Sequence, residues 1–216
     1  MYKLIIFDLD GTLLNTSFDI QKVLNETLTH YGFPTLTLEK TIEYVGNGAK
    51  KLIERALPCS NERLFEEVYA HYAKAFAECD NSLTCLYDGE EEFLKKLKAE
   101  NIKIAIVTNK PQAATDKVYS DLLSRFDFDI IIGQSDKFAL KPDPQSTLSV
   151  IETLKTDKAD CLFVGDGETD VQTALNAGIS CVSALWGYRT REQLKAAGAK
   201  MFASSYRQLE ELVFNK

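Results

Sequence analysis

The 216-residue sequence lacks several features that define other classes of protein. No apolar run approaches the roughly 18 residues that a membrane span requires. Asp8 and Asp10 break the first apolar stretch, so we expect no secretory signal. With two histidines and no C-x-x-C pair, neither a zinc site nor a disulfide framework is expected. We therefore expect a cytoplasmic protein with reduced structural thiols, at Cys59, Cys79, Cys85, Cys161 and Cys181.

Basic stretches are also missing from the chain. Its 25 lysines and arginines are outnumbered by 32 acidic residues, which gives a net charge of −7. Nucleic-acid backbones and anionic membranes repel such a chain, so we expect neither as a partner. The content of 45% hydrophobic and 26% charged residues is typical of a globular protein. This length suits one full core with a small inserted domain.

The early and late parts of the sequence have different patterns. An apolar run at residues 3–8 predicts a strand that is covered on both faces. Residues 15–85 show helical spacing and no convincing strand, with short helices at 38–44 and 49–57. From residue 90 onward, strands and helices alternate. The predicted strands are 102–107, 129–132, 161–164 and 180–184, and the predicted helices are 90–100, 145–154, 170–177, 191–197 and 206–214.

This alternation predicts an α/β fold, a doubly wound (Rossmann-like) parallel sheet with helices on both faces. The first strand joins this sheet only if the helical stretch is an insertion, so we predict an all-helical cap domain. The predicted division assigns residues 1–14 and 86–216 to the α/β core and residues 15–85 to the cap. Pro111 is predicted in the first turn of a helix, where its missing N–H is not needed.

Polar residues follow four of the predicted strands. Ligands of doubly wound sheets bind beyond the carboxyl ends of the strands, so these residues should converge on one edge. They are Asp8, Asp10, Gly11 and Thr12 after the first strand, Thr108 and Asn109 after the second, Lys141 after the third, and Asp166 and Asp170 after the fourth.

Each residue type has a physical use at that edge. Clustered carboxylates repel one another unless a cation neutralises them, and Asp8, Asp166 and Asp170 supply hard oxygens suited to Mg²⁺. Lys141 can contact both a substrate phosphate and the Asp8 carboxylate. Free N–H and hydroxyl groups at strand-to-helix turns can hold phosphate oxygens. The residues at such turns are Gly11, Thr12, Thr108 and Asn109.

In this order, the motifs resemble those of the haloacid dehalogenase superfamily. The four matching segments are Asp8-x-Asp10-Gly11-Thr12-Leu13, Thr108-Asn109, Lys141 and Gly165-Asp166-x-x-x-Asp170. The inserted helices resemble the C1 cap of that superfamily. Further segments resemble its phosphoglycolate phosphatase branch, namely Val45-Gly46-Asn47-Gly48-Ala49, Val107-Thr108-Asn109-Lys110-Pro111, Val171-Gln172-Thr173-Ala174 and Trp186-Gly187-Tyr188.

The resemblance implies a Mg²⁺-dependent phosphatase for a small phosphorylated metabolite, with 2-phosphoglycolate as the first candidate. Asp8 would attack phosphorus and form an aspartyl-phosphate, and Asp10 would act first as acid and then as base. The metal would be served by the Asp8 and Asp166 carboxylates, the Asp10 carbonyl and Asp170.

The remaining site residues implied by the resemblance contact the substrate. Thr108, Asn109 and Lys141 would hold the phosphoryl group, together with Gly11 and Thr12. By analogy with other caps, the loop Gly46-Asn47-Gly48 would turn towards the substrate. Two positions depart from the family pattern: Gly167 stands where Ser is frequent, and Asp88 stands where Pro is frequent.

Other functions stay open at this point. A phosphomutase of the β-phosphoglucomutase type would pass the phosphoryl group to a substrate hydroxyl instead of water. A pyrophosphatase or nucleotidase could use the same scaffold, and a non-catalytic phosphate-binding module would not need Asp10. The chain is expected to be a monomer or a homodimer.

Two segments receive no catalytic role in this interpretation. Glu90-Glu91-Glu92 begins a predicted helix, where negative charge is favourable, and is expected to be a solvated face. Trp186-Gly187-Tyr188 follows the last predicted strand and is interpreted as core packing plus a turn, with a place at the border of the pocket as the alternative.

Overall fold

The predicted parallel sheet is present in the computed structural model, which describes residues 1–58 and 61–215. The strands are β1 (Leu4–Phe7), β2 (Leu14–Asn15), β3 (Cys85–Leu86), β4 (Lys103–Pro111), β5 (Ile130–Gln134), β6 (Cys161–Gly165), β7 (Ser180–Ala184) and β8 (Met201–Ala203). Six of them form one sheet in the order β5-β4-β1-β6-β7-β8, and each neighbouring pair is parallel. Cys59 lies outside the described residues, so its role as a structural thiol stays a prediction.

The strand β1 lies inside the sheet and is buried on both faces. Its four side chains are fully buried, and alternate residues point to opposite faces. Leu4 and Ile6 belong to one hydrophobic cluster, whereas Ile5 and Phe7 belong to another. The continuous apolar run is therefore explained by a strand with helices packed on both sides.

Among the described residues, the insertion between β2 and β3 contains four helices. They are α1 (Ser17–His30), α2 (Leu38–Tyr44), α3 (Ala49–Ala56) and α4 (Glu62–Ala77). These helices share a hydrophobic cluster that includes Leu24, Leu52, Val68 and Tyr72. The chain thus has the predicted helical cap, while the exact division at residues 15 and 85 stays a prediction.

The prediction of no strand within residues 15–85 was wrong at the two ends of that stretch. β2 and β3 pair antiparallel, with Leu14 opposite Leu86 and Asn15 opposite Cys85. A strand of two residues is too short to produce an alternating pattern, so its sequence carries no strand signal. This small ribbon joins the two connections between the cap and the core.

The remaining helices cover the two faces of the sheet. α5 (Glu90–Ala99), α6 (Gln112–Val118) and α10 (Tyr206–Phe214) contribute to one buried cluster. α7 (Gln145–Thr153) and α8 (Glu168–Ala177) contribute to the cluster on the other face. α9 (Arg191–Ala196) connects β7 to β8. Among the described residues, no helix combines the length and apolar character that crossing a membrane would require.

Two local predictions in the core need correction. Glu90 is fully buried rather than solvated: its Oε2 accepts a hydrogen bond from Tyr87 N, and Phe93 in the same turn of α5 packs against Tyr206. Pro111 ends β4 and precedes α6, so it lies one position before the helix rather than in its first turn. β4 is irregular between Val107 and Pro111, which carries the strand past the predicted end at residue 107.

Candidate active site

The carboxyl edge of the sheet brings the predicted polar residues together. Asp8 directly follows β1, Asp166 follows β6, and Asp170 lies in the first turn of α8. Thr108 and Asn109 lie in the irregular end of β4. Lys141 reaches the same place from the loop between β5 and α7. Four segments that are distant in sequence therefore meet at one point.

Lys141 is a buried cation between two carboxylates. Its Nζ lies 2.9 Å from Asp8 Oδ1 and 2.6 Å from Asp170 Oδ1. Burial alone lowers the pKa of Lys141, but the charges of Asp170 and Asp8 outweigh burial and raise it. Burial and the charge of Asp170 raise the pKa of Asp8 to about 6, against the opposing effect of Lys141. The lysine thus carries its charge beside the Asp8 carboxylate.

Asp166 is fixed by the chain around it. Its Oδ1 accepts a hydrogen bond from Thr12 Oγ1 at 3.1 Å, and its Oδ2 accepts one from Tyr188 N at 2.6 Å. A Cβ added at Gly11 would lie 2.4 Å from Asp166 Oδ2, and one added at Gly187 would lie 2.3 Å from its Cβ. Burial first, then the charges of Asp170 and Asp8, raise the pKa of Asp166 to about 8.

The carboxylates of Asp8, Asp166 and Asp170 fit a hard divalent cation. One oxygen from each lies within 4.8 Å of the others. Oxygen ligands of this kind suit Mg²⁺ or Ca²⁺ and not a soft metal. These carboxylates have a single lysine among them, so their negative charge exceeds the positive charge that the described side chains supply there. Three of the predicted metal ligands therefore lie together, while the part of the Asp10 carbonyl stays a prediction.

Asp10 is held by two donors that sequence reasoning left without a role. Its Oδ1 accepts hydrogen bonds from Thr16 Oγ1 at 2.7 Å and from Lys110 Nζ at 2.9 Å. The Lys110 side chain is only 3% exposed, and its Nζ also lies 4.1 Å from the centre of the Phe76 ring. Lys110 directly follows the motif Thr108-Asn109 in sequence, and this position was the available signal for a role in the site. That its side chain points towards Asp10 depends on the irregular end of β4 and could not be predicted.

Asn109 joins three parts of the site through its side-chain amide. Its Oδ1 accepts from Lys141 N at 2.8 Å, and its Nδ2 donates to the carbonyls of Lys141 and Gly46, both at 3.1 Å. Thr108 lies beside it and accepts from Lys110 N. The amide of Asn109 therefore orients Lys141 and contacts the cap loop at the same time.

The pocket lies between this edge and the cap. The predicted site residues that line it from the core are Asp8, Asp10, Thr108, Asn109 and Asp166. The other predicted core residues lie behind this lining and act through residues that belong to it; they are Lys141, Asp170, Gly11 and Thr12. The cap contributes apolar side chains and the loop Gly46-Asn47-Gly48. The cavity is about 60 Å³, which holds only a few water molecules.

The segment Trp186-Gly187-Tyr188 both packs in the core and borders the pocket. Trp186 Nε1 donates to the Thr12 carbonyl at 3.0 Å, and its ring packs on Tyr206. Tyr188 lines the pocket, and its hydroxyl lies 3.1 Å from Thr16 Oγ1. Arg189 also lines the pocket and has polar contacts with the cap. Sequence reasoning did not identify Arg189, because its role depends on contacts with a distant helix.

Comparisons with known proteins agree with this arrangement. The family model described as haloacid dehalogenase-like hydrolase matches residues 5–184. A phosphoglycolate phosphatase of Pseudomonas syringae pv. tomato is 35% identical over 214 residues, which cover 96% of this chain and 78% of that protein. Phosphoglycolate phosphatase 1 of Pseudomonas aeruginosa is 35% identical over 193 residues, which cover 86% of this chain and 70% of that protein.

A solved structure shows the same architecture. The crystal structure of a protein from Lactobacillus delbrueckii subsp. bulgaricus, provisionally assigned as a phosphoglycolate phosphatase, superposes with a TM-score of 0.93. Its sequence is 26% identical, and the match covers 100% of this chain and 99% of that chain. The sheet and the inserted helices therefore follow an arrangement that is known from experiment.

Proposed function

Because this chain belongs to the haloacid dehalogenase-like hydrolases and is a phosphatase of that family, we propose its substrate class and mechanism. The proposed reaction is the hydrolysis of a small organic phosphomonoester, with 2-phosphoglycolate as the first candidate. The proposed cofactor is Mg²⁺, and the proposed intermediate is an aspartyl-phosphate on Asp8. The observation that carries the proposal is the position of the Asp8 carboxylate. Asp8 lines the pocket, and its Oδ1 lies 2.9 Å from Lys141 Nζ.

Asp8 is proposed as the nucleophile. A carboxylate oxygen attacks phosphorus, the bond from phosphorus to the leaving oxygen breaks, and an acyl phosphate forms on Asp8. Water then attacks the same phosphorus, the bond from phosphorus to the Asp8 oxygen breaks, and inorganic phosphate leaves as the Asp8 carboxylate is restored. Lys141 lies beside the Asp8 carboxylate and supplies positive charge where negative charge develops on the phosphoryl oxygens. Thr108 and Asn109 line the same part of the pocket.

Asp10 is proposed as the general acid and base. It donates a proton to the leaving oxygen in the first step and accepts one from the attacking water in the second. Thr16 and Lys110 both contact Oδ1, which fixes the direction of the carboxylate. The other carboxylate oxygen is then available to exchange a proton with the substrate or with water.

The metal is proposed to be held by the carboxylates of Asp8, Asp166 and Asp170, together with the backbone carbonyl of Asp10. When bound, the cation would neutralise their charge and attract a phosphate oxygen. Thr12 and the Tyr188 N–H keep the Asp166 carboxylate in place, and Gly167 N performs the same task for Asp170 Oδ2 at 2.8 Å. Gly167 thus assists Asp170 through its backbone, where the family-typical Ser side chain is absent.

The size and lining of the pocket support a small substrate. The cavity of about 60 Å³ is closed on the cap side by apolar residues that include Tyr72 and Phe76. A substrate with only a few atoms beyond the phosphate fits this space better than a nucleotide or a hexose phosphate. Selectivity is proposed to follow from exclusion by the cap.

Replacement of the nucleophile tests the proposal. We expect Asp8→Asn to retain the fold and to lose at least about a thousandfold in kcat, because an amide cannot form the acyl phosphate. Release of inorganic phosphate from 2-phosphoglycolate and from an aryl phosphate, measured with Mg²⁺ present, gives the rates. Circular dichroism checks the fold.

Asp116→Asn serves as the control, since Asp116 is exposed on α6 outside the pocket. It should keep the wild-type rate. Substantial phosphate release by Asp8→Asn would remove Asp8 as the nucleophile. Formation of an isomeric sugar phosphate without phosphate release would favour the phosphomutase alternative.

A further inference from the structure

Arg189 makes three hydrogen bonds, two of which link the core to the cap. Its Nε donates to Glu168 Oε2 at 3.0 Å, and Glu168 is the first residue of α8 in the core. Its two terminal nitrogens donate to the carbonyls of Ile42 and Val45, at 2.9 and 2.5 Å. The Arg189 side chain is only 10% exposed. The two bonds to the carbonyls are available only while the cap lies against the core, whereas the bond to Glu168 lies within the core.

The acceptors in the cap are carbonyls at the end of a helix. α2 ends at Tyr44, and the last carbonyls of a helix have no partner within it. A positive charge at this end also interacts favourably with the helix dipole. The planar guanidinium can serve two carbonyls and one carboxylate together, which an ammonium group does less well. Arg189 is therefore well suited to hold the end of α2 on the core.

The contact lies next to the reaction site on both sides. In the cap, Val45 precedes the loop Gly46-Asn47-Gly48, which lines the pocket. In the core, the neighbouring residue Tyr188 donates its N–H to Asp166. One short segment of chain thus holds a proposed metal ligand and the cap loop.

From these contacts we infer that Arg189 is a positioning residue for the phosphatase reaction. It holds the loop 45–48 over Asp8, so that the substrate meets a pocket that is already closed. Without it, part of the binding free energy of the substrate is used to seat the cap. The kinetic part of this inference rests on the proposed function, whereas the structural part does not.

The cap contains a matched control arginine. Arg55 on α3 donates from NH1 to the Tyr44 carbonyl at 2.8 Å. It therefore binds the same end of α2 as Arg189, but Arg55 and its acceptor both belong to the cap. Arg55→Gln weakens the end of the helix, and Arg189→Gln weakens it and also removes the link to the core.

Two measurements on the full-length protein test the inference. The first is the solvent-exchange rate of the Asn109 side-chain amide protons by NMR, because Asn109 Nδ2 donates to the Gly46 carbonyl. The second is the KM and kcat for 2-phosphoglycolate with Mg²⁺. For Arg189→Gln we expect severalfold faster exchange, a KM about tenfold higher and a kcat within about threefold. A tenfold smaller closed fraction weakens apparent binding by the same factor.

The matched variants decide between positioning and general destabilisation. Arg55→Gln should leave the Asn109 exchange rate and the KM within about twofold of wild type. Arg189→Lys should give values between those of wild type and Arg189→Gln. Wild-type exchange and KM in Arg189→Gln, or equal effects of Arg55→Gln, would overturn the inference. If Asp8→Asn remained active, the proposed phosphatase mechanism would be wrong. The exchange rate of the Asn109 amide protons would still test whether Arg189 holds the cap loop on the core.

Discussion

Asp10 is held through a single carboxylate oxygen by two residues from different parts of the chain. Thr16 belongs to the connection that enters the cap, and Lys110 belongs to the end of β4. Lys110 is buried, so its charge-assisted hydrogen bond is stronger than one in water. The position of the proposed acid and base therefore depends on a lysine as well as on the aspartate itself.

Replacement of Lys110 should reduce catalysis more than substrate binding. Lys110→Met keeps most of the side-chain volume and removes the donor. A hydrogen bond to a charged group contributes roughly 1.5–3 kcal/mol, so we expect kcat to fall about 10- to 100-fold. The measurement is steady-state phosphate release with 2-phosphoglycolate, and thermal unfolding checks the fold.

A second lysine on the adjacent helix provides the control for this prediction. Lys117 pairs with Asp121 on the surface, and its side chain is 41% exposed. Lys117→Met should therefore keep the wild-type kcat. A kcat within twofold of wild type for Lys110→Met would show that Thr16 alone suffices to orient Asp10.

The residues whose chemistry is visible in sequence were the ones that could be predicted. Asp8, Asp166 and Asp170 come together because the ends of parallel strands share one edge. Lys141 joins them through direct ion pairs. Arg189 could not be predicted in the same way, since its acceptors are backbone carbonyls that carry no residue-specific signal.

At the scale of elements, long periodic segments were predicted and short ones were not. The helices of the core and five of its strands lie close to their predicted positions. The strands β2, β3 and β8 have two or three residues each, which is too few for a period to show. The prediction that the acidic start of α5 is solvated was wrong at Glu90 for a different reason. Three consecutive glutamates carry no signal that distinguishes the one that packing buries.

Glu90 is a buried acid at the start of α5, and it should make stability depend on pH. Its Oε2 accepts from Tyr87 N at 3.1 Å, whereas its Oε1 has no hydrogen-bond partner among the described residues. Burial raises the pKa of Glu90 to about 9, against the opposing effects of the Tyr87 N–H and Arg125. The folded protein therefore keeps a proton on Glu90 at neutral pH, which the unfolded chain releases.

Replacement of Glu90 by Gln should remove this dependence. A group with a raised pKa in the folded state stabilises most at low pH, and this contribution declines as pH rises from about 4.5 towards about 9. The free energy of unfolding of Glu90→Gln minus that of wild type should thus increase by up to about 1.4 kcal/mol per pH unit. Urea unfolding at pH 6, 7 and 8 measures it.

The neighbouring residue gives the control for this pH series. Glu92 lies in the same turn and is exposed, so Glu92→Gln should follow the pH dependence of the wild type. If the difference between Glu90→Gln and wild type were constant from pH 6 to pH 8, then Glu90 would not hold a proton in the folded protein over that range.

At the scale of the whole molecule, the distribution of charge matters more than its sum. The chain carries a net charge of −7, yet the buried cation Lys110 lines the pocket and the buried cation Lys141 lies behind the lining, paired with Asp8. The sequence predicted which motifs meet, but the order of the strands and the seating of the cap depend on contacts between elements far apart in the chain. Arg189 and Asn109 are the clearest examples of such contacts.

The same charge distribution predicts that Mg²⁺ stabilises the folded protein. Asp166 and Asp170 are buried and Asp8 is partly buried beside them. An ion that binds these carboxylates only in the folded state therefore raises the free energy of unfolding and the Tm. At about 100 times its Kd, a ligand contributes roughly 2.7 kcal/mol. For a chain of this size, that corresponds to a Tm increase of about 5–10 °C between EDTA and saturating MgCl₂ at constant ionic strength.

Asp166→Asn tests the source of this stabilisation. It should maintain or raise the Tm without metal and should reduce the Tm increase that MgCl₂ causes. Asn can keep both contacts of Asp166, with its oxygen accepting from Tyr188 N and its amide donating to Thr12 Oγ1. Without metal, the pKa of Asp166 is raised to about 8, so folding at neutral pH requires this carboxyl to take up a proton. Asn requires none, and the Tm of Asp166→Asn should therefore equal or exceed that of the wild type. With MgCl₂, the increase should largely disappear, while the exposed control Asp136→Asn keeps it. If MgCl₂ raised the Tm of Asp166→Asn as much as that of wild type, the ion would bind elsewhere, because this variant removes one carboxylate from the cluster.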